Sequence, residues 1–351
     1  MKSAAVNTAA AAYRELEARI LAALREDLRE SEFAALAQEA HAFQKRWNTP
    51  YANFCATRPP AAHWWEIPAV PQSAFKTARL SVAPPEEITR TFRTSGTTGE
   101  GYGEHHFIDT RLYDAAILAG WTRLGVPRLP LAILTPDPQT APHSSLSHML
   151  ATLAAASAPG AHFYIDPSGG LERAILPMLW QAESTGTAVG LLGTALAFLH
   201  LFDNADCRHF KLPAGSFAME TGGYKGSGRE IPKRELYALF TGHLGIEPDD
   251  IINEYGMTEL SSQFYTRGLG RPHEGPPWVR AVVIDPETGG EAAVGETGVL
   301  RIFDLANLGS VLAVETQDLA VRRERGFELL GRDPAALPRG CSRAADERMR
   351  G

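Results

Sequence analysis

The feature that constrains this chain most is an alternation that runs from residue 107 to about 260. Short apolar runs with strand character are interleaved there with helical stretches, the runs being Leu131–Leu134, Ala161–Ile165, Ala188–Leu192 and Asp250–Asn253. Strands separated by helices cannot pair through tight hairpins, so the alternation predicts an α/β architecture with a mostly parallel sheet. After Arg271 the texture changes. Val279–Ile284, Gly298–Phe303, Ser310–Glu315 and Leu319–Arg323 are separated by Gly, Pro and Asp turns, which predicts a small antiparallel β subdomain.

Two amphipathic helices are expected ahead of the sheet. Leu16, Ile20, Leu24 and Leu28 stripe one over residues 10–30. Phe33, Leu36, Ala40, Phe43 and Trp47 stripe the second, with Ser31 as its N-cap and Asn48-Thr49-Pro50 as its stop. Residues 50–90 are rich in proline and aromatic side chains and read as extended chain on a surface. The expected organisation is N-terminal helices at 1–50, an α/β core at 51–270, the β subdomain at 271–332 and a tail at 333–351.

Composition narrows the function classes. A 44% apolar, 21% charged chain is an ordinary globular one. A net charge of −7 argues against binding a nucleic-acid backbone, which needs clustered cations. Cys55, Cys207 and Cys341 are few, odd in number and far apart, so no disulfide framework is expected and a reducing compartment is. Arg14, Glu15, Glu17 and Arg19 interrupt the Ala-rich N-terminus, which does not fit a signal peptide. The longest apolar run, Ala188 to Phe202, is shorter than the roughly 20 residues of a membrane span. A cytoplasmic protein without a membrane span is the expectation.

Five motifs carry chemistry. In Thr94-Ser95-Gly96-Thr97-Thr98-Gly99-Glu100-Gly101-Tyr102-Gly103, hydroxyls sit between glycines. Such a segment can turn consecutive N–H groups toward a polyphosphate, and equally suits a surface turn. It is neither a Walker A loop nor a dinucleotide fingerprint. Asn253-Glu254-Tyr255-Gly256-Met257-Thr258-Glu259 follows an apolar pair and can set a hydroxyl on phosphate and a carboxylate on Mg²⁺; alternatively Thr258 caps a helix. Gly222-Gly223 lets a flat ligand lie on backbone with Tyr224 as a stacking face, or forms a plain turn. Asp318 can accept from both hydroxyls of a ribose, or sit in a turn before Gly331-Arg332. In the tail, Arg339 and Arg343 flank Cys341 and favour its thiolate. No GxSxG elbow or HExxH helix is present, and His105-His106 and Cys207-x-His209 have no partners at ligand spacing.

Taken in order, these motifs resemble the series that marks the adenylate-forming superfamily of acyl-CoA synthetases, adenylation domains and luciferases. Within it the chain most resembles the LuxE-type acyl-protein synthetases. The phrases Phe43-Gln44 through Asn48-x-Pro50-Tyr51-x-x-Phe54-Cys55, Ile67-Pro68-x-x-Pro71-x-x-x-Phe75-Lys76 and Arg339-Gly340-Cys341-Ser342 carry that likeness. The resemblance implies the large N-terminal domain of that superfamily, with ATP and Mg²⁺ as cofactors. Ser95, Gly96, Thr97, Thr98 and Gly99 would hold the β- and γ-phosphates, Gly222, Gly223 and Tyr224 the adenine, and Asp318 the ribose. Thr258 and Glu259 would meet the α-phosphate and Mg²⁺, with Thr94, Tyr255, Gly256 and Arg332 completing the nucleotide set. Cys341 would accept the acyl group before a reductase or carrier protein receives it.

Two departures stand out. Only 19 residues follow Arg332, too few for the C-terminal lid that carries a catalytic lysine in full-length relatives, so the lid is expected to be absent or vestigial. Arginines, Mg²⁺ and helix dipoles, or a partner, would have to supply that charge. Glu104-His105-His106 also stands where the superfamily often has a lysine. Two alternatives remain at this point: a ligase that charges coenzyme A or a carrier protein with Cys341 incidental, and a non-catalytic protein on the same fold. Trp64, Trp65, Phe107, Trp121 and Phe217 are candidate walls for the carboxylic acid pocket, or core residues.

Overall fold

In a computed structural model that describes residues 2–94, 101–204, 209–222 and 231–332, with side chains from residue 9 onward, the long apolar run 188–202 divides at Thr194. Gly190–Thr194 is a strand and Ala195–Asp203 a helix, because the Thr194 hydroxyl accepts the Ala197 N–H at 3.1 Å and starts the helix. The described residues form two compact units. One is drawn from residues up to 120 together with 257–263 and those from 274 on; the other comprises 121–256 with 264–273. The N-terminal helices thus share a unit with the C-terminal strands, a grouping that a partition along the sequence does not express.

The second unit holds a six-stranded sheet in the order 162–163, 131–134, 190–194, 217–221, 251–255, 264–267. Every pairing is parallel except the last. Central strands are buried on both faces, which is why they read as unbroken apolar runs. Gly190 is required by close approach, since a Cβ there would lie 2.6 Å from the Phe217 ring. Leu191, Ala218 and Ile251 on one face pack with Phe198, Phe202, Tyr237 and Phe240 from the helices Ala195–Asp203 and Lys233–Leu244.

The first unit holds a sheet in the order 70–71, 313–322, 297–304, 279–284, with 327–332 also on 313–322. All pairings are antiparallel except that of Val70–Pro71. The two strands expected at 310–315 and 319–323 are a single strand, Ala313–Arg322. Its polar middle reads as a turn but crosses an irregularity in the ladder, where the Thr316 hydroxyl donates to Leu300 O at 2.8 Å and accepts from Asp318 N at 3.1 Å. A hairpin of Arg90–Arg93 and Glu104–Phe107 stands apart from that sheet.

Three expectations about the N-terminus are corrected. The first helix, Lys2–Ala23, ends before residue 30, leaving Leu24 buried in the turn beyond it and Leu28 half-buried. The second, Glu30–Trp47, is capped at Arg29 and not Ser31, because the Glu32 carboxylate reaches back to the Arg29 N–H at 2.9 Å. Residues 49–55 are helical and not extended, with Pro50 in the first turn where its missing N–H costs nothing. Asn48 makes both ends possible. It caps one helix through its backbone, caps the next by accepting from Tyr51 N at 3.2 Å, and donates from Nδ2 to Ser310 O at 3.0 Å. Asn48→Ala strands a buried N–H and a buried C=O, so it is expected to lower unfolding free energy by about 2–3 kcal/mol in urea titrations. A loss under about 0.5 kcal/mol would contradict the double role assigned to this side chain.

Candidate nucleotide-binding site

The glycine- and hydroxyl-rich segment is pinned at both feet. Beyond the strands 90–93 and 104–107, Thr94 N donates to Gly103 O at 2.9 Å and Gly103 N donates to the Thr94 hydroxyl at 2.9 Å. Ser95, Gly96, Thr97, Thr98 and Gly99 lie outside the described residues; Thr94 and Gly103 fix where that segment leaves and returns.

Strand 104–107 alternates, turning His105 and Phe107 inward. His105 Nδ1 donates to Thr258 O at 2.7 Å. Burial pushes the imidazole down to about 4, so it is neutral at pH 7 and the carbonyl fixes its tautomer. The Thr258 hydroxyl lies 3.5 Å from Arg93 O, at the base of the same hairpin. No helix begins at Thr258, so the helix-cap alternative falls away. Glu259 next to it is buried at 3% exposure. Asn307 Nδ2 donates to its carbonyl at 2.9 Å and Gln72 Nε2 to its carboxylate at 2.9 Å. Asn307 is itself braced by Val311 O at 2.9 Å and the Ser261 hydroxyl at 2.9 Å. Below it, the buried Asp304 accepts from Ser261 N, the Ser262 hydroxyl and Ala306 N. Burial raises Asp304 to about 6 against the pull of those donors.

The groups that hold Thr258 and Glu259, namely His105, Gln72 and Asn307, were not among the residues expected to bind the nucleotide. The sequence marked His105 only as part of Glu104-His105-His106, standing where a lysine is common.

Asp318 and Arg332 are cross-strand partners in the same unit. The register shifts there, and Gly331 takes φ +103°, a backbone state that explains glycine before Arg332. Cys341 lies outside the described residues.

In the other unit, strands 217–221 and 251–255 run parallel with Thr221 opposite Glu254. Gly222 and Tyr255 therefore stand side by side at the carboxyl ends of adjacent strands, with Gly256 following, the place where open parallel sheets bind ligands. Gly223 and Tyr224 lie outside the described residues. Tyr255 packs on Phe264 and His273 with ring centroids 6.1 Å away in each case.

Beneath these strand ends is a polar cluster that the motifs did not reveal, with Glu220, Asn253 and His273 buried and Lys233 exposed at its edge. Asn253 Nδ2 donates to Glu220 Oε1 at 2.7 Å, and Asn253 Oδ1 accepts from Lys233 Nζ and His273 Nε2, both at 2.8 Å. Tyr237 OH donates to Glu220 at 3.3 Å. Burial raises the Glu220 carboxyl, with Lys233 opposing, and drops His273 to about 3. On the other face burial pushes Glu254 up to about 7, helped by the Glu220 charge and resisted by the Thr221 hydroxyl. A carboxyl raised in the folded state stabilises fully below its ordinary value near 4.5 and loses that contribution as pH climbs through 7. Glu254→Gln should therefore gain on the parent chain by up to about 3 kcal/mol between pH 5 and pH 8.5. Urea denaturation at both pH values checks this, and an unchanging gap contradicts it.

Of the candidate pocket walls, Trp64 is core, packed edgewise on Phe33 and Phe303; Phe107 and Phe217 are also buried. Trp121 packs on Phe217 and Tyr265, and Trp65 is exposed.

The donor set fits Mg²⁺. Glu259 is a hard carboxylate, and beside it the buried Gln72 Oε1 has no donor among the described residues. Mg²⁺ is usually held by one or two carboxylates, waters and substrate phosphates.

Comparison with known proteins gives three results. A family model described as "Acyl-protein synthetase, LuxE" matches residues 15–350. A long-chain-fatty-acid–luciferin-component ligase of Aliivibrio fischeri is 23% identical over 309 residues, spanning 82% of this chain and 79% of that protein. Among solved structures, an open conformation of 2-hydroxyisobutyryl-CoA ligase in complex with 2-HIB-AMP and CoA aligns with a TM-score of 0.63 at 13% identity, over 88% of this chain and 76% of that one. ATP-bound MatB from Rhodopseudomonas palustris aligns with a TM-score of 0.50 at 17% identity over 71% of this chain. The match covers 49% of MatB, so the chain spans about half the length of that protein. At these identities the structural likenesses speak for the fold, which is the α/β architecture that the motif order implied. Among the described residues, no helix is long and apolar enough to cross a membrane.

Proposed function

This chain belongs to the LuxE acyl-protein synthetase family, and on that premise we propose that it activates a carboxylic acid of the fatty acyl class with ATP and passes the acyl group to the thiol of Cys341. One observation carries the reading. The foot of the hydroxyl-rich segment and the Thr258-Glu259 pair are tied together by the 2.7 Å bond from His105 to Thr258 O. Thr94 and Gly103, which bound the segment suited to the outer phosphates, thus lie on the same hairpin that holds Thr258, suited to the α-phosphate.

The chemistry follows from leaving groups. A carboxylate oxygen attacks the α-phosphorus, the bond to the β-phosphate oxygen breaks, and pyrophosphate leaves. The Cys341 thiolate then attacks the acyl carbon and AMP departs. Ser95 to Gly99 receive the outer phosphates, the Thr258 hydroxyl donates to the α-phosphate, and Asp318 accepts from the ribose. Glu259 would hold Mg²⁺, which supplies positive charge against the phosphates when bound. Gly222, Tyr255 and Gly256 offer flat backbone and a ring for adenine. The fatty acyl class is taken from the name of the Aliivibrio fischeri ligase. A thioester on protein calls for a partner that removes the acyl group, and a reductase is the class proposed.

The test is ATP–pyrophosphate exchange across a series of carboxylic acids, followed by labelling with the best one. Exchange with a long-chain acid and hydroxylamine-labile label on the protein are expected. No exchange with any acid overturns the proposal.

A further inference from the structure

The group that grips the Glu259 carboxylate comes from the Ile67–Lys76 phrase, at a position which that phrase leaves open. We propose that Gln72 is a positioning residue for cation binding: its Nε2 fixes the Glu259 carboxylate, and its Oε1 serves the water shell of bound Mg²⁺. This rests on the reading that Glu259 holds Mg²⁺.

The orientation of the Gln72 amide is fixed by chemistry. An ionised carboxylate only accepts, so the 2.9 Å contact to Glu259 Oε1 must be Nε2, and Oε1 is the other end. That Oε1 is buried and has no donor among the described residues. A buried carbonyl oxygen without a donor is unfavourable, so the bond to Glu259 does not by itself account for the second polar atom of this side chain. A donor that arrives with the ligand accounts for it, and Mg²⁺ brings such donors because it gives up its waters reluctantly.

Backbone placement is equally specific. Gln72 opens the short 3₁₀ turn Gln72–Lys76, directly after Val70–Pro71, which pairs in parallel with Val314 and Glu315. Ala74 and Phe75 anchor the turn in the core. The Phe75 ring meets His105 edge-on at 5.7 Å, and His105 is the donor on Thr258 O. One turn therefore supports both members of the Thr258-Glu259 pair. Groups that orient a metal-binding carboxylate typically contribute 10- to 100-fold to metal affinity.

The test uses the full chain and calorimetry of ATP binding across a Mg²⁺ titration, with a matched series in EDTA. Gln72→Met is expected to raise the Mg²⁺ concentration for half-maximal binding by about 10- to 100-fold and to leave the EDTA affinity unchanged. Glu259→Gln runs beside it as the control for the underlying reading. If Glu259→Gln shifts the Mg²⁺ requirement and Gln72→Met does not, the role given to Gln72 is wrong. Should neither variant shift it, the assignment of Mg²⁺ to Glu259 fails and takes this proposal with it. A Gln72→Met chain that loses ATP affinity equally with and without Mg²⁺ assigns Gln72 to packing alone.

Discussion

Cys341→Ser is expected to abolish hydroxylamine-labile acyl-protein while leaving ATP–pyrophosphate exchange within about twofold of the parent chain. The separation follows from the order of bonds made. Exchange needs only attack of the carboxylate on phosphorus, which involves no thiol. Acyl transfer needs a nucleophile that is ionised at neutral pH. A thiol flanked by Arg339 and Arg343 can supply one, and a serine hydroxyl without a base cannot. Loss of labelling by at least about 10³-fold is the expected scale. Full labelling of the serine variant would move the acceptor elsewhere on the protein. Label appearing on coenzyme A or a carrier protein instead, with Cys341→Ser harmless, would make the chain a ligase for a diffusible thiol.

Glu259→Gln carries the second large effect. Exchange should fall by about 10²- to 10³-fold, the usual cost of losing one charge-stabilising group at a phosphoryl centre. The substitution is nearly isosteric, keeps the Asn307 bond to the residue 259 carbonyl, and leaves an amide that Gln72 can still meet. Thermal unfolding should therefore shift by less than about 3 °C, which separates lost chemistry from lost fold. Undiminished exchange at saturating Mg²⁺ would remove Glu259 from the reaction.

The parts legible in the sequence are those that depend on near neighbours. Leu131–Leu134 and Val279–Ile284 are strands over the expected residues, since burial pattern and local propensity agree there. Ser31 misled because a capping hydroxyl and a Glu two places on from Arg29's neighbour compete for the same helix start, and Glu32 prevails by reaching the Arg29 N–H. The polar Thr316-Gln317-Asp318 misled because a strand irregularity uses hydroxyls as a turn does. The Thr258-Glu259 pair was legible as a motif, but its supports were not. His105 and Gln72 stand 153 and 187 positions away from the residues they hold. Each is a side chain aimed at a single atom, and no periodicity encodes such a pairing. The cluster of Glu220, Lys233, Asn253 and His273 was hidden for the same reason, with polar residues set inside or beside apolar runs and bonded to one another across the fold.

Gln44 shows what such distant pairing means while the protein is being made. Its amide serves Asn307 O, Leu308 O and Leu312 N, about 265 positions downstream, and Asn48 waits likewise for Ser310. At roughly 5–20 residues per second, the ribosome needs on the order of 10–50 s to deliver those partners. Throughout that interval the second helix carries two carboxamides and the Phe33 ring meant for an interior that does not yet exist. Stop codons placed near residue 250 should therefore yield insoluble product, whereas release after residue 332 supplies every strand that closes over them.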